Sequence, residues 1–199
     1  MGERFEGLKK IPQVPAARIM AQTNLVLDAP LEGPASAGVP EVMAELEALG
    51  APVDMLKVMA ASLPPRELAW WACLAARDVI GPEAKPTPSL AATEAWVFRP
   101  SDETRAAAFR ASEAAEPTDD TALCATIAVF ADGTLGPDDL KEYPAPDGAT
   151  AAMAFGMNLM AIDARGGDFA SAAGLMVDRA LDIARGGNGQ VEEKAGDAE

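Results

Sequence analysis

Residues 52–81 read PVDMLKVMAASLPPRELAWWACLAARDVIG, and the fold class follows from that stretch. Val53, Leu56, Met59 and Ala60 share one face, with Leu63 one turn later. That is the spacing of an amphipathic helix. Pro64-Pro65 opens a second helix, because proline is tolerated where the first amides have no intrahelical acceptor. This helix is expected to run to about Ile80 and to stop at Gly81-Pro82, glycine supplying the left-handed turn that proline then prevents from continuing.

The same grammar extends outward. Pro40 to Leu49 reads as a helix stopped by Gly50, and Ser89 to Phe98 as another, broken by Pro100. Ser101 caps the next helix, with Asp102 and Glu103 in its first turn, where carboxylates favour the positive end of the helix dipole. Thr118-Asp119-Asp120 repeats that start signal ahead of Ala122, Ala125, Thr126 and Val129. Gly136 to Asp147 reads as loop, followed by helices over Ala149–Ala164 and Asp168–Ala184. No segment alternates with period two. The expectation is an all-α, compact bundle of roughly seven to nine antiparallel-packed helices over residues 39–187. Residues 1–38, rich in Pro and Gly, read as an arm carrying a short helix around Ala16–Leu27 that can dock through Ile19, Leu25 and Leu27. Residues 188–199 read as a disordered acidic tail.

Charge and composition exclude several functions. Asp and Glu total 31 against 16 Lys and Arg, a net charge of −15. Such a surface repels duplex nucleic acid and anionic membranes, and no basic run exceeds Lys9-Lys10. The chain has no histidine, which removes Ser-His-Asp and Cys-His catalysis and His-ligated zinc. Cys73 and Cys124 both sit in apolar helical stretches and read as buried, reduced thiols. Lys9-Lys10 is followed by Ile11-Pro12-Gln13-Val14-Pro15 rather than by an apolar segment, so no secretion signal or membrane insertion is expected and the reading is cytoplasmic.

The motif-like segments resolve into structural punctuation. Ala164-Arg165-Gly166-Gly167 and its echo Ala184-Arg185-Gly186-Gly187 follow helices, whereas a phosphate loop precedes one. Asp132-Gly133-Thr134 resembles half a calcium loop, but Phe130 and Ala128 occupy the positions where further ligands are needed. No catalytic residue, metal ligand or cofactor is assigned. The aromatic cluster is the remaining candidate. Trp70 and Trp71 are adjacent on one helix and point about 100° apart, so one enters the core while the other lies at the flank of the buried stripe. Trp96 sits on the next helix. Arg66, Trp70, Trp71 and Trp96 therefore form the candidate partner or ligand surface, since Trp and Arg anchor interfaces. The competing reading is that the tryptophans fill gaps in an alanine-rich core.

Three segments, Leu63-Pro64-Pro65-Arg66-Glu67-Leu68-Ala69-Trp70-Trp71-Ala72-Cys73, Glu94-Ala95-Trp96-Val97-Phe98-Arg99-Pro100-Ser101-Asp102-Glu103-Thr104-Arg105 and Phe130-Ala131-Asp132-Gly133-Thr134-Leu135-Gly136-Pro137, together resemble an uncharacterised bacterial all-helical family associated with type VI secretion gene neighbourhoods. The resemblance covers about residues 40–187 and is clearest over 63–137. Its most specific element is the tryptophan pair after Leu-Pro-x-Arg. The Phe130 segment departs from the tryptophan-containing form of the pattern, so nothing is assigned to bind there. The resemblance implies no catalytic residues.

The expected function is accordingly a non-catalytic interaction protein, an accessory, adaptor or chaperone-like factor with a protein partner, linked through the resemblance to secretion. Homo-oligomerisation is left open. The alternative is an enzyme or small-ligand-binding domain whose helices place Met153, Met157, Met160 and Met176 around an apolar pocket.

Overall fold

Proline sets the start of four helices. α2 (Val39–Ala48), α3 (Pro52–Ser62), α4 (Pro65–Ile80) and α5 (Pro88–Phe98) each carry it in the first two positions, where its missing N–H costs nothing. Leu63 takes extended backbone between α3 and α4 (ψ 136°), which turns the chain without a loop. Side-chain caps start two others. Ser101 and Thr104 form a reciprocal capping box at α6 (Asp102–Glu113), and the Asp168 carboxylate accepts from the Ser171 amide at α9 (Phe169–Arg185). α1 (Ala16–Gln22), α7 (Ala122–Phe130) and α8 (Ala149–Arg165) complete the set.

The computed structural model describes residues 3–191. Among the described residues the secondary structure is nine α-helices, two short 3₁₀ turns and no strand, with one isolated bridge between Thr134 and Pro144. The chain is all-α, as the helical periodicity predicts. No helix of the described residues is long and apolar enough to cross a membrane. The expected acidic tail lies outside the described residues from position 192 onward. Of its first residues, Gly189 is buried, its Cα side facing Leu74 and Ile183.

α4 is the hub. It packs against α5, α7, α8 and α9, most extensively against α8. Ala69, Ala72, Ala75 and Ala76 on α4 are all wholly buried, and side chains this small let neighbouring helices approach closely. The bulk is supplied by a few large residues, among them Trp71, Leu56, Met59, Met157, Met176 and Leu181, also wholly buried.

Side chains from residues 3–38 contribute to this core. Phe5, Leu8, Ile11 and Ile19 are all buried. The Lys10 amide donates to the Ala184 carbonyl (2.8 Å) and the Arg4 guanidinium to Asp178 (2.7 Å). Leu25 and Leu27 are partly buried against the core. Two devices hold the segment after α1. Gly148, left-handed at φ 74°, lets the Thr23 carbonyl approach so closely that a Cβ would lie 2.1 Å from its oxygen. On α3, the buried Asp54 carboxylate accepts the amides of Asp28 (3.0 Å) and Ala29 (2.7 Å) and pairs with Lys57 (2.9 Å).

Burial opposes charge on Asp54, yet the Ala29 amide, the Lys57 ammonium and the Asp28 amide together hold its carboxyl below the ordinary 3.8. A depressed folded value means the stabilisation is fully present above the unfolded value of about 3.9 and lost as pH falls through the folded one. Hydrogen exchange should therefore show the Asp28 and Ala29 amides protected at pH 5 and progressively unprotected below pH about 3.9, with Asp54→Asn abolishing that pH dependence. Protection unchanged down to pH 2 would contradict the assignment.

Candidate functional site

Arg66 and Trp70 lie one turn apart on α4, so their side chains share a flank. Trp70 is half-buried. Its indole N–H donates to the Asn188 carbonyl (2.7 Å) and its ring meets Phe98 at 5.5 Å between centroids, tilted 59°. Phe98 is the last residue of α5 and is 71% exposed. The exposed Arg66 reaches over the end of α5, where its Nε donates to the Val97 carbonyl (2.7 Å), one of the last-turn carbonyls without a helical partner. Together with Gly186 and Gly187 beyond α9, these residues line a groove of about 280 Å³. Glu67 and Lys10 form its edge and pair with one another at 2.9 Å.

The structure divides the four expected surface residues into two pairs. Arg66 and Trp70 line the groove; Trp71 and Trp96 do not. Trp71 is wholly buried and donates its indole N–H to the Met176 carbonyl on α9 (3.0 Å). Trp96 is 7% exposed and shares the inward face of α5 with Leu90, Thr93 and Val97. The reason is angular: Leu68, Trp71, Ala72 and Ala75 follow the buried stripe of α4, and Trp70 stands off it by about 100°. Phe98 completes the groove, although no sequence pattern singles it out. Its position before Arg99-Pro100 is the only hint, because a side chain at a broken helix end has no following turn to cover it.

A second, larger cavity of about 550 Å³ lies where α4 and α6 end and α5 and α7 begin. Val79, Ile80, Ala111 and Ala115 give it apolar walls. Asp119 organises the polar side, accepting from Ser89 Oγ (2.8 Å), Thr121 Oγ1 (2.6 Å) and the Thr121 amide (3.0 Å). The expected start signal at Thr118-Asp119-Asp120 is thus a turn that positions α7, whose first residue is Ala122. No methionine lines this cavity. Met157 and Met176 are wholly buried, and Met153 and Met160 pack against the core.

The remaining motif-like segments have internal partners. Asp132 pairs with the buried Arg105, whose Nε donates to the Val129 carbonyl (2.6 Å), and it accepts the Thr134 amide (3.0 Å). Among the described residues no group of three or more Cys, Asp or Glu side chains is placed to hold a metal ion. Gly166 and Gly186 end α8 and α9 with positive φ, and Arg185 donates to the carbonyls of Glu6 and Arg4. Cys73 and Cys124 are both free and buried. Burial pushes the Cys73 thiol well up, and the neighbouring Cys124 pushes it further.

A thiol held protonated and out of solvent does not react. The native protein should leave a disulfide reagent such as dithionitrobenzoate unreacted over an hour at pH 8 and should release two equivalents once denatured, matching its two cysteines. Fast labelling of the native chain would contradict the burial.

No curated protein and no solved structure matches the chain. A family model matches residues 42–184, a span that begins within α2 and ends at the last turn of α9 and so includes α3 to α8. On that match the chain belongs to a family of unknown function (DUF6931).

Proposed function

We propose that the chain is a non-catalytic interaction protein, an accessory, adaptor or chaperone-like factor acting in the cytoplasm, and that the groove at Arg66, Trp70 and Phe98 is its partner-binding surface. The observation that carries this reading is the aromatic pair. Phe98 keeps 71% of its surface in solvent, its ring tilted against a second aromatic rather than folded inward, beside an arginine. Aromatic and arginine side chains in a desolvatable pocket are the usual anchors of protein interfaces. The net charge of −15 favours a protein over a nucleic acid as partner. A link to a type VI secretion apparatus rests on the resemblance of the Leu63–Cys73 and Glu94–Arg105 segments.

A second reading is favoured by the 550 Å³ cavity, which falls within the range of small-molecule sites, about 300–1,000 Å³. On that reading the chain binds a small ligand beside Asp119.

A photo-reactive phenylalanine analogue placed at position 98 separates the two. The proposal predicts a discrete cross-linked partner in the native host at position 98 and none from the same analogue at Phe169, an exposed aromatic on α9 (46%). Equal yields at both positions, or no adduct at either, would overturn it. If the cavity is the working site instead, position 98 yields nothing and Ala111→Leu abolishes function in the host.

A further inference from the structure

Charge around the groove specifies what kind of partner fits. The chain has nearly two carboxylates for every cation, 31 against 16, and about half of its cations pair with one among the described residues. Arg4, Lys57, Arg77, Arg105 and Arg179 are each ion-paired. Arg66 and Arg99 flank Phe98, and among the described residues neither has a carboxylate partner. Glu67, which lines the groove, and Asp182, whose carboxylate lies beside Gly187, are already engaged. Glu67 is held by Lys10 at 2.9 Å, and the Asp182 carboxylate accepts the Gly189 amide at 2.8 Å.

Arg66 is also oriented. Its Nε–H is taken by the Val97 carbonyl at 2.7 Å, which fixes the plane of the guanidinium and leaves the N–H groups of both terminal nitrogens for another acceptor. That fork matches a carboxylate in geometry and charge. The distant negative charge does not decide the local contact, because at physiological ionic strength screening acts over about 8 Å. The groove, about 280 Å³, is smaller than a typical small-molecule site and suits side chains presented by a chain.

We propose that this groove binds an acidic–aromatic peptide segment of a partner protein, its apolar side chain seated on Trp70 and Phe98 and its carboxylate held by the terminal nitrogens of Arg66. The proposal rests on the interaction reading given above and adds the partner's chemistry to it. A basic segment meets Arg66 and the Glu67-paired Lys10 in the same space and is disfavoured there, although the acidic surface elsewhere attracts it.

The test must therefore read the groove itself. The three tryptophans give three indole N–H signals in a nitrogen-15 spectrum of the full chain, and Trp70 is the one whose ring lines the groove. The probe is a blocked peptide, Asp-Asp-Phe-Asp-Leu, titrated alongside analogues with Asn or Lys in place of every Asp. The proposal predicts that the acidic probe shifts the Trp70 signal saturably while Trp71 and Trp96 stay in place. The Asn analogue, and Arg66→Gln titrated with the acidic probe, should each bind at least about tenfold more weakly, the loss of one charge-assisted hydrogen-bond pair. Arg66→Lys should fall between, keeping charge without the fork.

Equal or stronger movement with the Lys analogue overturns the proposal, as does wild-type affinity in Arg66→Gln. A concentration-dependent dimer dissociated by Arg66→Gln overturns it too, since the occupant is then a second copy. If position 98 cross-links a partner while no acidic peptide moves Trp70, the partner chemistry is wrong and the interaction reading stands. If acidic peptide binds but position 98 captures nothing in the host, the ligand class stands and the interaction reading fails.

Discussion

The indole N–H of Trp71 is buried beyond the reach of water and must find a protein acceptor, or folding incurs the cost of an orphaned donor. It finds the Met176 carbonyl, on the other side of the α4–α9 contact. This bond ties α4 to α9 with Trp71 turned inward. Leu68, Ala72 and Ala75 follow it into the core, and the alanines allow α8 to lie close along the hub. The same orientation puts Trp70 on the flank and Arg66, one turn earlier, beside it. The groove is thus a geometric consequence of how the core is packed.

The groove combines an exposed phenylalanine, a half-buried tryptophan and an arginine without a carboxylate partner among the described residues, a combination found together at one place. Other cations serve the fold: Arg4 joins the first turn to α2 and α9, Lys57 and Asp54 hold the segment after α1, and Arg77 joins Glu94. Folding alone gives no reason for Phe98 to remain outside. An Ala or Lys at the end of α5 would preserve the helix stop and leave less apolar surface in water. A surface that departs from local consistency in this way is where function is expected.

Much of this fold is legible in the residues themselves. Pro52, Pro65, Gly81, Ser101 and Asp168 each act through backbone geometry or a local hydrogen bond, so their reading needs no tertiary information. The docking of residues 3–38 is less legible. Phe5, Leu8 and Ile11 recur every third residue, but the run is interrupted by Gly7 and ended by Pro12, too short to read as an amphipathic helix, and the buried carboxylate that fixes the following segment, Asp54, looks from the sequence like an ordinary first-turn acid. Which tryptophan turns inward was not decidable locally, because periodicity gives the angle between Trp70 and Trp71 but not the phase. Trp96 and Phe98 show the same limit: α5 is apolar nearly all round, so its inward face is set by what packs on it. Asp119 was visible as a helix-start signal, but its bond to Ser89 crosses between elements and only the tertiary structure reveals it.

Adjacent tryptophans here have opposite roles, and equilibrium unfolding of the two alanine variants tests that most directly. Trp71→Ala should lose about 3–5 kcal/mol, the usual cost of emptying a large buried site. Trp70→Ala should lose only about 1 kcal/mol, within the range of ordinary single substitutions, and should unfold with an unchanged denaturant slope. Equal losses, or a larger loss at Trp70, would contradict the division between a core-locking and a groove-lining tryptophan.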